Sequence, residues 1–473
     1  MRKFGGIVIG WIFICSLSHA QPALDTAGIS LRTPYTIKEV FILGNKTTKP
    51  NIIYREMGLK KGVTFSDSII NEMISVDEMR IYNTNLFNEV EIEKLYSGQG
   101  EMMLVVKVTE RWYIFPSVIF KLADRNFNDW WVNQNHDLSR VNLGIRYQQY
   151  NFRGRRELLD LTFQLGFERK FAVGWRIPYI EKSQKHGLTF NYTYEESRNA
   201  GYRTENHVRQ FINAERLLVR STDAGIKYMF RNTYYNHHRF EISFNHMAID
   251  DTVQMLNPNF FNDNADRQDN FNISYQFTRD LRNNINYATS GYLFDLKAEK
   301  LGIGIFNDVD IFTLQLVYNQ FFDLGNDFSY AMGIKGFSSW PENQSYANFF
   351  SLGFEQTLVR GYEQDLIEGH KFVLYKSTFR KRLFKHIQDI SPLMPIKQFQ
   401  RVPFAVYAKV FADAGYIENY PQYEISRRLS NSLLYGVGAG IDVVTLYDLV
   451  IRFEYSVNAE NQFRLALNSR ADF

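Results

Sequence analysis

Two short motifs in the last quarter of the chain each combine a charged side chain with a glycine. The first is Val359-Arg360-Gly361-Tyr362 and the second is Phe411-Ala412-Asp413-Ala414-Gly415. If Arg360 and Asp413 meet away from bulk water, their pair provides directional hydrogen bonds as well as charge. Gly361 lets the backbone pass close to the wall behind it, and Gly415 is expected to permit a tight strand end. Such a pair of Arg360 and Asp413 would form an arginine–carboxylate anchor. The alternative is a solvated loop arginine and an ordinary turn aspartate.

Other residue patterns do not indicate a catalytic site. The sequence contains no Gly-x-Ser-x-Gly elbow, no phosphate-binding glycine loop and no His-Glu-x-x-His motif. His237, His238 and His246 lack a metal-ligand framework, so we interpret them as polar residues of turns or of a wet interior. Arg380-Lys381-Arg382 and Lys385 are interpreted as basic turns, either at a lipid interface or facing an acidic partner. We expect no enzyme activity, no metal and no cofactor.

The elements that must position the two motifs are strands. From about residue 111 to residue 473 apolar and polar residues alternate, as in Leu159–Phe167, and runs of about ten such residues span a bilayer when tilted. Barrels of this kind have even strand numbers, so the surplus candidate around Val208–Leu218 is assigned to a long loop. The pattern predicts a membrane β-barrel of about 16 antiparallel strands, with a short turn at Phe152–Arg156 and long loops at Ile249–Gln268 and Trp340–His370.

Composition excludes several other classes of protein. The chain has 473 residues, 54 Lys+Arg against 51 Asp+Glu and a net charge of +3, so no basic field points to nucleic acid. Aromatic residues make up 16%, which favours strands. Mean hydropathy is −0.32, and past the N-terminus no apolar run is long enough for a membrane helix. A single Cys excludes a disulfide scaffold.

The N-terminal residues have the layout of a secretory signal peptide. Arg2 and Lys3 precede an apolar run, and Ser18-His19-Ala20 ends it with small residues. We predict a signal peptide over residues 1–20 and a linker over 21–35. The alternative is a lipoprotein anchored at Cys15, although Ile14 is bulky where a small residue is expected. The mature chain is then exported and free of cysteine, which suits an oxidising compartment such as the periplasm.

Residues 36–110 predict a separate small α+β domain. Ile37–Leu43 is predicted as a strand, Pro50 begins a short helix, and Ser66 is the N-cap of a second helix. The apolar face of that second helix is predicted at Ile69, Met73 and Val76. Two strands, Phe87–Leu95 and Met102–Thr109, complete a three-stranded sheet. Free edges of such a sheet can accept the backbone of another chain.

Motifs, strand order and the preceding domain together resemble the BamA/TamA superfamily of outer-membrane assembly factors. The resemblance implies a polypeptide-transport-associated (POTRA) domain at 36–110 and a sixteen-stranded barrel at 111–473, with five strands after Arg360. It also implies that the loop-six motif Val359, Arg360, Gly361 and Tyr362 pairs with a strand motif of Phe411, Asp413 and Gly415, and that Phe473 is a C-terminal barrel signal. One departure is Lys376–Arg380, a stretch in which the family often places a second carboxylate. That departure indicates a simpler anchor or a partner elsewhere.

Three functions follow as hypotheses. The first is an outer-membrane protein of a Gram-negative bacterium that assists the insertion of other β-barrel proteins, through POTRA strand addition in the periplasm and a barrel seam near Trp112–Leu122 and Phe463–Phe473. The second is an export pore for a dedicated polypeptide partner, and the third is a passive outer-membrane barrel. The expected partners are outer-membrane lipids, nascent barrel or exported polypeptides and periplasmic accessory proteins, without nucleic acid.

Overall fold

The computed structural model describes residues 34–98, 100–122, 141–306, 308–353, 357–423, 428–469 and 471–472. The predicted signal peptide, Cys15, residues 21–33 of the predicted linker and Phe473 lie outside the described residues. Within the described ranges, no helix has both the length and the apolar character needed to cross a membrane.

The N-terminal part of the described chain is a small α+β domain. Its elements are β1 (Tyr35–Leu43), α1 (Pro50–Glu56), β2 (Thr64–Phe65), α2 (Asp67–Tyr82), β3 (Phe87–Gly98) and β4 (Glu101–Glu110). The sheet order is β2-β1-β4-β3, with β1 parallel to β4 and the other pairs antiparallel. The predicted order of strand, helix, helix, strand and strand is confirmed. The prediction of three strands is wrong because β2, with two residues, is too short to produce an alternating pattern.

The helices begin where the sequence indicated, but the buried face of α2 is rotated. Pro50 starts α1 and Ser66 is the N-cap residue of α2. The core contains Ile70 and Ile81 of α2, whereas Ile69 is exposed. Asp77 lies on the buried face because its carboxylate accepts hydrogen bonds from the amides of residues 58 and 59. Of the predicted face, Met73 packs against the core as predicted, whereas Ile69 is exposed and Ile70 takes its place.

The rest of the described chain is dominated by one sheet of 16 strands, an architecture that fits a β-barrel. Neighbouring strands in the sheet follow one another in sequence and are all antiparallel. In sheet order from the first to the last, they are β5 (Ile114–Leu122), β6 (Val141–Phe152), β7 (Glu157–Gly166), β8 (Glu168–Ile177), β9 (His186–Ser197), β12 (Val219–Arg231), β13 (Asn236–Ile249), β14 (Arg267–Asp280), β15 (Gly291–Leu301), β16 (Ile311–Gly325), β17 (Phe328–Trp340), β20 (Lys371–Asp389), β21 (Arg401–Glu418), β22 (Leu433–Thr445), β23 (Leu449–Asn458) and β24 (Phe463–Asn468), where the numbers absent from this series belong to two short hairpins. The predicted strand number and the five strands after Arg360 are confirmed.

The two hairpins lie outside the large sheet. β10 (Asn199–Glu205) pairs with β11 (Val208–Asn213), and β18 (Ser351–Leu352) pairs with β19 (Ile367–Glu368). A short helix α3 (Asp251–Leu256) follows β13. The segment Val208–Leu218 is thus part of a loop region and not a strand of the large sheet, as predicted.

The two faces of the sheet differ in polarity. On β7 the exposed side chains are apolar (Leu161, Phe163 and Leu165), and the alternate residues are Asp160, Thr162 and Gln164. The same contrast recurs on the other strands, where many large apolar side chains remain exposed on one face. Because water would penalise so large an apolar surface, this outer face is suited to lipid, and the polar face is the inner one.

Connections differ at the two ends of the sheet. At the end nearest the POTRA-like domain most are short, such as residues 153–156 and 232–235. At the opposite end, several connections pack together, and we call them the loop cap. The loop cap consists of hairpin β10–β11 and residues 250–266, 341–353, 357–370 and 419–423. Its contacts include hydrogen bonds from Asn257 to the carbonyl of Tyr202 and from Gln422 to the carbonyl of Gln344.

Basic and imidazole side chains that were predicted to lie in turns lie on strands instead. Arg380, Lys381, Arg382 and Lys385 lie within β20, which continues to residue 389, and not in a turn. The three histidines at positions 237, 238 and 246 lie on β13 and not in turns. In both cases the strands extend further than hydrophobic alternation alone indicates. Strand pairing continues through residues whose side chains are polar, either because they lie on the inner face or because they lie beyond the apolar part of the outer face.

Candidate functional site

The loop motif lies against the inner face of the sheet. Residues 359–362 follow hairpin strand β18 in the long connection between β17 and β20. Arg360 is 2% exposed, and Val359 and Tyr362 belong to a buried apolar cluster with residues of β20 and β21. Gly361 has a φ of +102°, and its carbonyl accepts a hydrogen bond of 2.9 Å from Asn458. The loop is therefore seated on the sheet and does not extend into solvent.

Arg360 and Asp413 are in direct contact. The Nε atom of Arg360 donates to Oδ2 of Asp413 at 2.8 Å and Nη2 donates to Oδ1 at 2.5 Å, so the pair is bidentate. The backbone amide of Arg360 also donates to Oδ2 at 3.1 Å. The guanidinium carbon lies 3.9 Å from the centre of the Phe411 ring. Both charges are thus removed from water, held in one geometry and covered by an aromatic face.

The strand motif itself lies on β21, three residues before its end. Asp413 and Phe411 face the loop because they are two residues apart and share one face of the strand. A Cβ atom at Gly415 would stand 2.7 Å from a methyl carbon of Val359, closer than packing allows. Gly415 therefore provides space for the loop, and the prediction that it permits a tight strand end is wrong because β21 continues to Glu418. All three motif residues contribute to one contact.

Further partners of Arg360 come from strands that the sequence did not single out. Nη2 donates to the hydroxyl of Thr378 at 3.1 Å, within the stretch where a carboxylate is missing. Nη1 lies 3.6 Å from Glu454 on β23 and 3.4 Å from Asp472, which follows β24. The second carboxylate is thus supplied from elsewhere in the chain.

These residues belong to a larger buried ion cluster on the inner face. Lys409 contacts Asp442 at 2.7 Å, Glu454 at 2.8 Å and Asp472 at 3.0 Å. Arg452 pairs with Glu454 and Asp472, and Arg380 approaches Asp472 at 3.6 Å. Mutual neutralisation makes such burial tolerable, because each charge would otherwise lose its hydration without compensation. The cluster ties β20, β21, β22, β23 and the residues after β24 to the loop motif.

Sequence reasoning missed most of this cluster, although a signal was present. Lys409, Phe411 and Asp413 are spaced two residues apart, as are Arg452 and Glu454. That spacing puts each set on one face of its strand. It does not reveal which distant strand supplies the opposite charge, since the pairing depends on how the sheet curves.

The POTRA-like domain contacts the large sheet through its own buried ion pair. Glu56 of α1 accepts two hydrogen bonds of 2.7 Å from Arg231 at the end of β12. Burial raises the pKa of Glu56, but the charges of Arg231, Arg156 and Arg55 outweigh that effect and lower it to about 2. Other contacts join the domain to several turns at this end of the sheet, through the pairs Asn151–Thr48, Arg80–Tyr235, Arg111–Asp448 and Asn88–Gln398.

The chain combines one small α+β domain, a 16-stranded antiparallel sheet and a loop arginine anchored on the inner face of that sheet. Together these features define a POTRA–barrel protein. Two family models match the chain. The Omp85 superfamily domain matches residues 151–465, and the POTRA model described as surface antigen variable number repeat matches residues 35–111. The chain belongs to the Omp85 superfamily, and its resemblance to BamA/TamA-type proteins is confirmed.

Solved structures share the fold at low sequence identity. CdiB from Escherichia coli has a TM-score of 0.52 at 11% identity, covering 92% of this chain and 75% of that chain. BamA from Haemophilus ducreyi lacking POTRA domains 1–3 has a TM-score of 0.48 at 15% identity, covering 92% and 83%. None of the curated proteins compared with the chain matches it. The CdiB likeness supports the fold alone.

Proposed function

We propose that this protein lies in the bacterial outer membrane, with its POTRA domain in the periplasm, and assists the insertion of other β-barrel proteins. Membership of the Omp85 superfamily supports a barrel that handles polypeptides. The role requires no catalytic residue and no cofactor, because strand pairing and burial in lipid provide the driving force.

The observation that carries the proposal is the pair of strands at the two ends of the large sheet. Among the described residues, β5 and β24 form no ladder with each other, and each has one sheet neighbour. β24 has six residues, the fewest of the sixteen. Unpaired backbone groups of such edges are costly in hydrocarbon, so they attract an incoming strand.

Side chains on β5 and β24, the two edge strands that form the seam, are unusually exposed. Leu465 of β24 is 84% exposed and Val118 of β5 is 82% exposed, because each lacks a flanking strand on one side. An incoming strand that pairs there covers both the backbone groups and these side chains. The seam therefore offers hydrogen bonds and apolar contact to the same client segment.

The POTRA domain offers a second edge. β3 pairs only with β4 among the described strands, and Leu95 and Tyr96 near its end are exposed. A client held there by strand addition is brought close to the barrel, since the domain contacts the turns at one end of the sheet. The edge thus raises the local concentration of clients near the seam.

Site-specific photo-crosslinking tests the seam. A photoreactive residue at Leu465 is expected to capture unassembled barrel proteins in cells. The matched control is Ile242 on β13, which is also apolar, exposed and outward-facing but has a strand on each side. Equal capture at both positions would contradict a role for the seam.

Depletion of the protein tests the cellular role. Quantitative proteomics of purified outer membranes is expected to show loss of other barrel proteins. Normal abundance of those proteins would overturn the proposal. If a single secreted polypeptide were retained inside the cell instead, the export function would replace the proposed insertion function.

A further inference from the structure

Three side chains converge at the end of the sheet opposite the POTRA domain. Glu342 follows β17, His370 immediately precedes β20, and Glu418 is the last residue of β21. The Nε2 atom of His370 lies 3.5 Å from Oε1 of Glu342 and 3.9 Å from Oε1 of Glu418. All three donor atoms lie within 4.8 Å of one another.

The backbone around His370 holds this arrangement in place. The carbonyl of His370 accepts a hydrogen bond of 2.8 Å from the amide of Ser339, and its amide donates to the carbonyl of Glu418 at 3.0 Å. The imidazole is completely buried, whereas both glutamates are about half exposed. A rigid nitrogen donor is thus covered by two carboxylates that can move, which leaves a path from solvent.

The hydrogen bonding of the imidazole determines which nitrogen is free. Nδ1 lies 3.1 Å from the carbonyl oxygen of Asn419. A carbonyl can only accept, so Nδ1 carries a proton, and Nε2 is the ring nitrogen that faces the two carboxylates. That atom is buried and, among the described residues, has no hydrogen-bond partner. Two carboxylates beside Nε2 require a positive charge, which a proton on Nε2, the ammonium of Lys371 or a bound cation supplies.

We propose that Glu342, His370 and Glu418 bind a divalent transition-metal cation, with Zn²⁺ as the preferred ion. Nitrogen and oxygen ligands at about 2.0–2.1 Å from a tetrahedral Zn²⁺ stand about 3.3 Å apart. The His370–Glu342 pair, at 3.5 Å, is close to this separation, whereas Glu418, at 3.9 Å from His370, moves closer on binding. Ca²⁺ and Mg²⁺ favour sites made of oxygen alone. The hydrogen bond from Nδ1 to a carbonyl is the outer contact that orients metal-binding histidines.

Lys371 is the competitor for this site. Its ammonium lies 2.8 Å from Glu342 and 3.7 Å from Glu418, so it balances the two carboxylates. It is partly exposed and its side chain is flexible, and a divalent ion displaces it. Glu342 and His370 lie near the two ends of the connection that carries Arg360. The bound ion therefore joins both ends of that loop to β21.

Zn²⁺ titration of the full-length protein in detergent, stripped of metal and of any affinity tag, tests the proposal. We expect one Zn²⁺ per chain by calorimetry. Since even outer contacts of a metal site change affinity by about 10–100-fold, Glu342→Gln and Glu418→Gln should each weaken binding at least tenfold. Both residues are half exposed, so these variants are expected to fold. Lys371→Met should strengthen binding because it removes the competing cation.

The matched control is His246→Gln, since His246 forms another histidine–carboxylate pair with Asp269 at 2.7 Å. This variant should bind Zn²⁺ as the unchanged protein does. Absence of stoichiometric binding, or binding that survives both glutamate substitutions, would overturn the site. Weaker binding in Lys371→Met would also contradict it.

Discussion

At the scale of single residues, the position of Arg360 depends on shape as much as on charge. Its carboxylate partner, Asp413, lies in a motif visible in the sequence, and the glycines of both motifs remove side chains from the contact. Gly436 on β22 has the same role without belonging to either motif, because a Cβ atom there would overlap the carbonyl oxygen of Arg360. Close packing of backbone on backbone therefore determines where the guanidinium lies.

This role of Gly436 predicts that Gly436→Ala unseats the loop. The added methyl group should lower the free energy of unfolding by about 1–3 kcal/mol, the usual cost of overpacking. Arg360→Ala should cost about 3–5 kcal/mol, because it removes the bidentate partner of the buried Asp413 carboxylate. Urea unfolding in lipid vesicles, followed by tryptophan fluorescence, measures both.

The control for Gly436→Ala is Gly336→Ala on β17. A Cβ atom at Gly336 meets no atom within 4 Å, so that strand glycine has open space. The change at 336 should leave stability nearly unaltered. Equal effects at the two positions would mean that loss of glycine in a strand, and not contact with Arg360, causes the loss.

At the scale of elements, the loop cap depends on a buried acid. Glu368 of β19 is buried and accepts a hydrogen bond of 2.7 Å from Thr204 of β10. Burial raises the pKa of Glu368 to about 7, although Thr204 and the charge of Arg209 act in the opposite direction. The cap therefore joins its segments best while this carboxyl group holds its proton.

The raised pKa of Glu368 predicts a pH-dependent effect of Glu368→Gln. In the unfolded chain the group ionises near its ordinary value of 4.5, so the folded cap loses stability as pH rises from about 4.5 to about 7. The glutamine variant should melt at a higher temperature than the unchanged protein at pH 8 and at the same temperature at pH 4. Thermal melting at both pH values checks this. A difference that is equal at the two pH values would contradict it.

At the scale of the whole molecule, the POTRA domain lies across one end of the barrel sheet. Its residues contact the turns after β6, β12, β20 and β22. The buried pair of Glu56 and Arg231 lies at the centre of these contacts, with Arg55 and Arg156 nearby. Contacts with several connections therefore hold the domain against this end of the sheet.

Glu56→Gln is expected to loosen this docking at neutral pH. A carboxylate with a lowered pKa contributes stability above about 4.5, and the contribution disappears as pH falls towards about 2. The difference between variant and unchanged protein should therefore be large at pH 7 and small near pH 2. Hydrogen exchange of the amides in α1 and residues 231–235 measures the docking.

Glu101→Gln provides the control for that experiment. Glu101 pairs with Lys38 on the exposed surface of the same domain. Exposed pairs contribute little, so this change should leave exchange in α1 unaltered. An effect as large as that of Glu56→Gln would mean that hydrogen exchange reports the stability of the POTRA domain itself and not its docking to the sheet.

The amino-acid sequence by itself determined the strands of the large sheet, their number and the two motifs, because hydrophobic alternation and turn residues act over a few neighbouring positions. It also indicated that Arg360 needs an acceptor. Only the tertiary structure decided that Glu454 and Asp472 share this arginine, that Glu56 meets Arg231 and that His370 lies between two glutamates. These contacts join residues far apart in the chain, and the curvature and register of the sheet bring them together. No local pattern encodes either property.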